Sequence, residues 1–113
     1  MKKAKTVPCT HLDQVKDVEP GTRGCKECLE TGDTWVHLRM CMTCGHVGCC
    51  DASKNKHATK HFRKTGHPIV SSLEPGETWS WCYIHRRYMD LPRELLPRRR
   101  SALAAIFARF FDR

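Results

Sequence analysis

Cysteine and histidine dominate this chain, with eight cysteines and seven histidines in 113 residues. Most of them fall into short pairs, which are Cys9-x-His11, Cys25-x-x-Cys28, Cys41-x-x-Cys44, His57-x-x-x-His61 and Cys82-x-x-His85. Two such side chains on one tight turn, or one helical turn apart, can bind the same ion. The pattern therefore predicts a fold held together by metal, with zinc as the metal that mixes Cys and His ligands most freely.

The number of candidate ligands fits three zinc sites. His67 and one of Cys49 and Cys50 stand outside the short pairs, and setting the other of these two cysteines aside leaves seven cysteines and five histidines. Structural zinc takes four ligands, so this set fills three sites with none left over. We expect three zinc ions.

The alternative use of many cysteines is a disulfide framework, which belongs to oxidising compartments. Residues 1–8 are basic and lead into no apolar segment, so we expect no secretory signal. The longest apolar run, 102–108, has seven residues, whereas a membrane span needs about 20. These features disfavour a secreted or membrane-spanning protein and predict a cytoplasmic one.

The chain divides into three parts by composition. Residues 1–8 are a basic lead that we expect to be disordered, 9–88 contain the cysteines, histidines and tryptophans, and 89–113 form a basic tail. The tail predicts an amphipathic helix whose apolar stripe consists of Leu103, Ile106, Phe107, Phe110 and Phe111. This stripe can pack on the central domain, on a second copy, on another partner or on a membrane surface, with the central domain as the default.

Residue patterns within 9–88 predict a small α+β domain. Three β-branched and aromatic runs, 34–41, 67–73 and 78–84, predict strands of a short antiparallel sheet. The run 53–64 predicts a helix that Ser53 caps and that ends before Gly66. With one or two helices and the tail helix, this is a zinc-stapled domain.

The run Cys41-Met-Thr-Cys-Gly-His-Val-Gly-Cys-Cys50, followed by His57-Ala58, His61, Gly66-His67-Pro68 and Trp81-Cys82-Tyr83, resembles the UBP-type zinc finger. That finger is the ubiquitin-binding module of ubiquitin-specific proteases and of a cytoplasmic histone deacetylase. The resemblance covers about residues 9–88. It implies three interleaved zinc sites, held by Cys9, His11, Cys82 and His85, by Cys25, Cys28, Cys49 and His57, and by Cys41, Cys44, His61 and His67.

Two departures from the family pattern concern these ligands. His85 stands where the family usually has cysteine, which zinc tolerates. The loop before His57 is one residue longer than usual, so Cys50 is an alternative to Cys49 as ligand. We favour Cys49, because it directly follows Gly48 as in the family motif. His37 and His46 lie outside every pair and are interpreted as solvated or hydrogen-bonded.

The resemblance also implies a function. Each site is closed by four protein ligands, whereas a catalytic zinc keeps a position open for water, so we expect no enzyme activity. The family's usual ligand is a free C-terminal Gly-Gly tail, as on ubiquitin, and the pocket walls map to Trp35, Trp81, Tyr83 and Tyr88. The alternative for Trp35 and Trp81 is core filling between the zinc sites.

The family's carboxylate clamp is changed in this sequence. The family motif continues from the ligand cysteine as Gly-Arg-Tyr, and that arginine binds the carboxylate of the tail. Here the run is Cys50-Asp51-Ala52, and Asp51 would repel a carboxylate. We therefore expect weak ubiquitin binding, unless Lys54 or Lys56 supplies the cation.

The rival function is nucleic-acid binding, which a formal net charge of +8 would favour. The arginines gather at the start of the tail rather than on a recognition helix, which disfavours it. The favoured hypothesis is a non-catalytic zinc module that binds a peptide or protein C-terminal tail. An adaptor that docks through its tail helix is the other alternative.

Overall fold

A computed structural model of the chain describes residues 11–97. The basic lead, Cys9 and the predicted tail helix from 98 onward lie outside the described residues. The helices are α1 (Lys26–Thr31) and α2 (His57–Thr65), with 3-10 turns at Leu12–Gln14 and Arg93–Leu95. The strands are β1 (Leu38–Cys41), β2 (Val47–Cys49), β3 (Ile69–Ser72), β4 (Trp79–Cys82) and β5 (Arg87–Asp90).

The five strands form one antiparallel sheet in the order β2-β1-β3-β4-β5. The prediction of a small α+β domain with a short antiparallel sheet is confirmed. The three predicted strands exist but are shorter than predicted, while β2, β5 and α1 were not predicted. Each of these three elements has only three to six residues, which gives sequence periodicity little to act on.

The predicted start of α2 is wrong. The helix begins at His57, after Lys56 in the left-handed conformation with φ of 52°. Ser53 does not cap it, because the Ser53 hydroxyl accepts a hydrogen bond of 2.8 Å from the backbone N–H of Val36. The Ser53 side chain therefore makes a long-range contact with β1's preceding segment, whereas the local sequence pattern predicted that it would cap α2.

The strand register divides the sheet into two faces, because directly paired residues point to the same side. One face, here called the core face, carries Val47, Met40, Ser71, Ser80 and Met89. Its apolar residues form a cluster with buried Met42, Ile69, Cys82 and Leu91. The cluster is covered by residues from both ends of the described chain, namely Leu12, Val15, Val18, Leu95 and Leu96.

The other face, here called the cavity face, carries Arg39, Val70, Trp79, Trp81 and Tyr88. Helix α2 crosses this side next to β2. A Cβ atom on Gly48 would lie 2.6 Å from the backbone nitrogen of Ala58, so only glycine lets the helix approach this closely. Gly48 thereby sets the position of α2, which forms one wall of the site described below.

The sheet extends past the predicted end of the central domain at residue 88. Strand β5 spans Arg87–Asp90, and Leu91 is buried in the core. Leu95 and Leu96 also pack on the core, so the chain continues as part of the domain at least to these residues. Among the helices of residues 11–97, none has the length and apolar character needed to cross a membrane.

Candidate metal centres and an aromatic cavity

The first cluster joins both helices to β2. Its members are Cys25, Cys28, Cys49 and His57. Cys25 is the N-cap of α1 and Cys28 lies within that helix, so one helical turn presents both thiols. The Nδ1 atom of His57 lies 3.1, 3.4 and 3.6 Å from the Sγ atoms of Cys25, Cys28 and Cys49.

The second cluster lies one helical turn further along α2. Its members are Cys41, Cys44, His61 and His67. Cys41 ends β1 and Cys44 lies in the turn to β2, while His61 follows His57 by four residues on α2. The Sγ of Cys41 lies 3.4 Å from Nδ1 of His67, and the Sγ of Cys44 lies 3.4 Å from Nε2 of His61.

The third cluster connects the N-terminal segment to the end of β4. It contains His11, Cys82 and His85. The Sγ of Cys82 lies 3.6 Å from Nδ1 of His11 and 3.8 Å from Nδ1 of His85. Cys9, the fourth predicted member, lies outside the described residues.

The donor atoms of these clusters fit tetrahedral zinc. With Zn–S near 2.3 Å and Zn–N near 2.0–2.1 Å, a tetrahedral site separates sulfur from nitrogen by about 3.6 Å. The sulfur–nitrogen distances given above run from 3.1 to 3.8 Å, and the donor atoms of each cluster all lie within 4.8 Å of one another. The geometry is therefore that of zinc sites and not of disulfides, since every cysteine of residues 11–97 has a free thiol.

Burial also affects the protonation of side chains in the clusters. Burial raises the pKa of the Cys25 and Cys41 thiols, so a nearby cation is needed to hold them as thiolates. Burial, with His46 and His67 nearby, lowers the pKa of His61 to about 4. His61 is therefore neutral at physiological pH, which is the form that binds a metal.

The structure separates Cys49 from Cys50. Cys49 lies in the first cluster, whereas Cys50 lies outside all three clusters, is 5% exposed and has its Sγ 3.5 Å from the Ser53 hydroxyl. The favoured sequence interpretation thus matches the placement of both residues. Their metal-binding roles remain a proposal.

His46 connects the first two clusters. Its Nε2 lies 2.8 and 3.0 Å from the carboxylate oxygens of Glu27, which lies between Cys25 and Cys28. Its ring also stacks on that of His61, with the centroids 4.0 Å apart. The expectation that His46 is solvated or hydrogen-bonded is met by the hydrogen bond, but the link between two clusters was not visible in the sequence. His37, in contrast, is exposed.

A cavity of about 450 Å³ lies between α2, the loop after β2 and the cavity face. Its walls are Arg39, Cys50, Asp51, Thr59, Phe62, Arg63, Val70, Trp79, Trp81, Tyr83, Arg86 and Tyr88. Three of the four aromatic residues expected in a pocket, Trp81, Tyr83 and Tyr88, are among them. Among the described residues that form the walls, Trp35 is not found.

Trp35 instead packs against the first zinc cluster, beside Cys25, Cys28 and Cys49. Its ring occupies the space next to Gly24, where a Cβ atom would lie 2.6 Å from the indole. Sequence reasoning missed two aromatic wall residues, Trp79 and Phe62. For Trp79, strand alternation was the available signal, because residues 79 and 81 of a strand point to one side.

The aromatic rings of the cavity pack in two groups. Tyr88 meets Trp79 and Trp81 edge to face, with centroid distances of 5.2 and 4.8 Å. On the opposite wall, Tyr83 stacks on Phe62 of α2 at 4.5 Å. Tyr88 is 66% exposed, so its ring is open to a ligand.

The charged walls give the cavity a net positive charge. Arg39, Arg63 and Arg86 contribute three positive charges and Asp51 one negative charge, which leaves two positive. The loop lysines lie elsewhere, since neither Lys54 nor Lys56 is part of the described wall, and Lys54 pairs with Asp33 at 3.3 Å. Within residues 11–97, the basic side chains in the cavity wall are therefore the three arginines.

Comparison with known proteins agrees with this geometry. The family described as "Zn-finger in ubiquitin-hydrolases and other protein" matches residues 25–94. The chain belongs to the UBP-type zinc-finger family. It is a zinc-binding domain, and the expected resemblance is confirmed.

Relatives of this zinc finger include parts of much longer proteins. Ubiquitin carboxyl-terminal hydrolase 44 of Ailuropoda melanoleuca is 31% identical over 87% of this chain and 14% of its own length. Ubiquitin carboxyl-terminal hydrolase 16 of Danio rerio is 49% identical over 66% of this chain and 9% of its own. The chain thus spans only about a tenth of the length of these relatives.

A solved structure resembles almost the whole described domain. The NMR structure of protein RPA1320 from Rhodopseudomonas palustris is 49% identical and has a TM-score of 0.75. The match covers 82% of this chain and 90% of that one. The fold therefore also occurs in a chain of similar length.

Proposed function

We propose that this UBP-type zinc finger is a non-catalytic, three-zinc, cytoplasmic module whose cavity binds the C-terminal end of a peptide or protein. The ligand class is an extended chain end with a free carboxylate and small final residues, as in a ubiquitin-like Gly-Gly tail. The observation that carries the proposal is the cavity itself, where aromatic rings and arginines line one opening.

The three clusters support a structural role for zinc. The first two each bring four donors together, and Cys9 is the fourth donor proposed for the third, two residues before His11. A site closed by four protein ligands has no position for a catalytic water. Zinc then serves to hold α2 and the N-terminal segment on the sheet.

The size and walls of the cavity support a chain end as ligand. A volume of about 450 Å³ lies in the range of small-ligand sites, roughly 300–1,000 Å³, and is too small for a folded partner. Residues without side chains offer only their peptide planes, and flat rings such as Trp81 and Tyr88 pack well against those planes. The proposed ligand contacts are Trp81, Tyr83 and Tyr88. Trp35, the fourth expected contact, packs on the first cluster, outside the described wall.

The wall charges support an acidic end group. The sequence expectation of weak binding considered only Asp51 and the loop lysines. Three arginines around the same cavity outnumber Asp51 and favour a carboxylate, which guanidinium groups bind with paired hydrogen bonds. Two relatives, both named ubiquitin carboxyl-terminal hydrolases, agree with a ubiquitin-like tail as ligand.

Calorimetric titration of the zinc-loaded protein with two hexapeptides tests this function. Both end in Gly-Gly, one with a free and one with an amidated C-terminus. We expect the free acid to bind in the micromolar range and the amide at least tenfold more weakly. Absence of binding by both peptides, at concentrations up to a millimolar, would refute the proposed function.

A further inference from the structure

We propose that Arg39 of β1 is the residue that binds the ligand's carboxylate in this cavity. The inference rests on the proposed function and adds the residue that determines its specificity. It places the anion-binding group on β1, an inner strand of the sheet, instead of in the loop after Cys49. Asp51, which lies in that loop, then contacts a different part of the ligand.

The guanidinium of Arg39 is held in place before any ligand arrives. Its central carbon lies 4.4 Å from the centre of the Trp79 ring, and one of its nitrogens donates a hydrogen bond of 3.1 Å to the carbonyl of Leu38. Trp79 is itself packed edge to face against Tyr88. A guanidinium stacked in this way loses little rotamer entropy on binding and keeps its planar edge available for a carboxylate.

Arg39 differs from the two other arginines in the wall. Arg63 on α2 and Arg86 after β4 are both exposed, whereas Arg39 is partly buried on the sheet. Charge-assisted hydrogen bonds are stronger where water is excluded, and exposed ion pairs are weak. A carboxylate therefore gains most from the guanidinium at the base of the cavity.

Glu77, an acidic residue near Arg39, does not fill the position proposed for the ligand's carboxylate. Glu77 accepts a hydrogen bond of 2.5 Å from Ser72, and this bond, together with the charges of Arg39 and His37, lowers the pKa of Glu77. Glu77 is not part of the cavity wall among the described residues. It lies close enough to feel the Arg39 charge but outside the space that a ligand would fill.

Asp51 gives the ligand a direction. Its carboxylate accepts a hydrogen bond of 2.6 Å from Thr59, whose hydroxyl is 3.3 Å from that of Tyr83. A carboxylate ligand is repelled by Asp51 and attracted by Arg39, while peptide N–H groups are suited to Asp51. The chain end would thus enter with its carboxylate toward Arg39 and its preceding amides toward Asp51.

The test compares arginine variants with the same two Gly-Gly hexapeptides, as free acid and as amide. In Arg39→Gln we expect affinity for the free acid to fall about ten- to a hundredfold and affinity for the amide to stay unchanged. The ratio between the two peptides then approaches one. A purely structural role of Arg39 would instead weaken both peptides equally.

Matched variants locate the effect. Arg63→Gln and Arg86→Gln should each change the acid-to-amide ratio less than threefold. Arg39→Lys keeps the charge but not the planar fork, so it should retain part of the preference. If Arg39→Gln does not fold, as judged by its zinc content and NMR spectrum, the Arg39→Lys ratio decides the question, and a ratio equal to that of the unchanged protein counts against the proposal.

Other outcomes separate this inference from the proposed function. If the unchanged protein prefers the free acid and Arg63→Gln or Arg86→Gln abolishes that preference, the function stands and the role of Arg39 is refuted. If neither peptide binds, the function and the inference both fail. Displacement of the free acid by a short single-stranded oligonucleotide, with steep salt dependence, would overturn the peptide-end ligand in favour of nucleic acid.

Discussion

The two faces of the sheet are built from the same five strands and carry opposite chemistry. On the core face, Met40 and Ile69 are fully buried among methionines and aliphatic residues. On the cavity face, their immediate neighbours Arg39 and Val70 line an open, positively charged cavity. Because side chains alternate along a strand, residues for stability and residues for binding occupy interleaved positions.

The candidate zinc sites are divided between the faces in the same way. The first two clusters take His57 and His61 from α2, the helix that crosses the cavity face. The third takes His11 from the N-terminal segment that covers the core face. Zinc bound at all three clusters would fasten a different segment to each face of the sheet, so each face can be perturbed separately.

The largest expected effect comes from removing a metal ligand of α2. His61→Ala should lower the zinc content from three to two and release α2 from the sheet, because the binding energy of a structural zinc, on the order of 10 kcal/mol, is also folding energy. Elemental analysis and NMR measure both effects. His37→Ala, an exposed histidine outside the clusters, should leave zinc and fold unchanged. A content near one zinc in the unchanged protein would refute the three-site assignment.

The next largest effect should distinguish the two faces, because a core-face substitution should lower stability without changing peptide affinity. Met40→Ala on the core face should lower the free energy of unfolding by about 2–5 kcal/mol, since it leaves a cavity in packed surroundings. Denaturant unfolding at fixed free zinc measures this loss, and peptide affinity of the folded protein should not change. Val36→Ala, at a side chain that is 53% exposed, serves as the control. Equal losses in both variants would mean that the core face is not the main source of packing stability.

A smaller effect is expected from a substitution that should lower stability and peptide affinity together. Gly48→Ala introduces a Cβ that meets the backbone of Ala58 at 2.6 Å, so α2 must shift outward, at a cost of about 1–3 kcal/mol. Peptide affinity should fall together with stability, because α2 is a wall of the cavity. In the Gly21→Ala control, the new Cβ makes an ordinary contact of 3.5 Å, so stability and peptide affinity should both stay unchanged. Unchanged affinity in Gly48→Ala would show that α2 does not shape the binding site.

The smallest effect concerns the loop lysine that the sequence offered as a cation. Lys54→Ala removes an ion pair with Asp33, and because exposed pairs are screened by water, stability should stay nearly unchanged. The acid-to-amide preference of peptide binding should be unaffected, in contrast to Arg39→Gln. If Lys54→Ala lost the preference for the free-acid peptide, the group that binds the carboxylate would lie in the loop and not at Arg39. Calorimetry with both hexapeptides distinguishes the cases.

Much of the fold was predictable where the signal is local. Strands β1, β3 and β4 were expected, because the runs that contain them, 34–41, 67–73 and 78–84, carry β-branched or aromatic residues. Strand β2 was missed because Val47–Cys49 is only three residues long and lies within the ligand run. Strand β5 was missed because Arg87–Asp90 is a mostly exposed edge whose pairing with β4 creates it.

The candidate site was predictable in part for the same reason. Short spacings such as Cys25-x-x-Cys28 bring two donors together through local geometry, and the family resemblance implied which pairs meet. The structure groups the described Cys and His candidates in that way. Trp35 was expected in the pocket, but its side chain packs against the first cluster instead. Ser53 was expected to cap α2, but the backbone of Val36 uses its hydroxyl.

The sequence by itself determined that this chain is a zinc-stapled α+β domain of the UBP type, because its ligand pairs stand at short local spacings and follow the ordered pattern of the family. Only the tertiary structure decided which groups surround the cavity. Arg39, Trp79 and Asp51 are brought together by strand register and by the close approach of α2 at Gly48. These are contacts between residues far apart in the chain, and no local spacing encodes them.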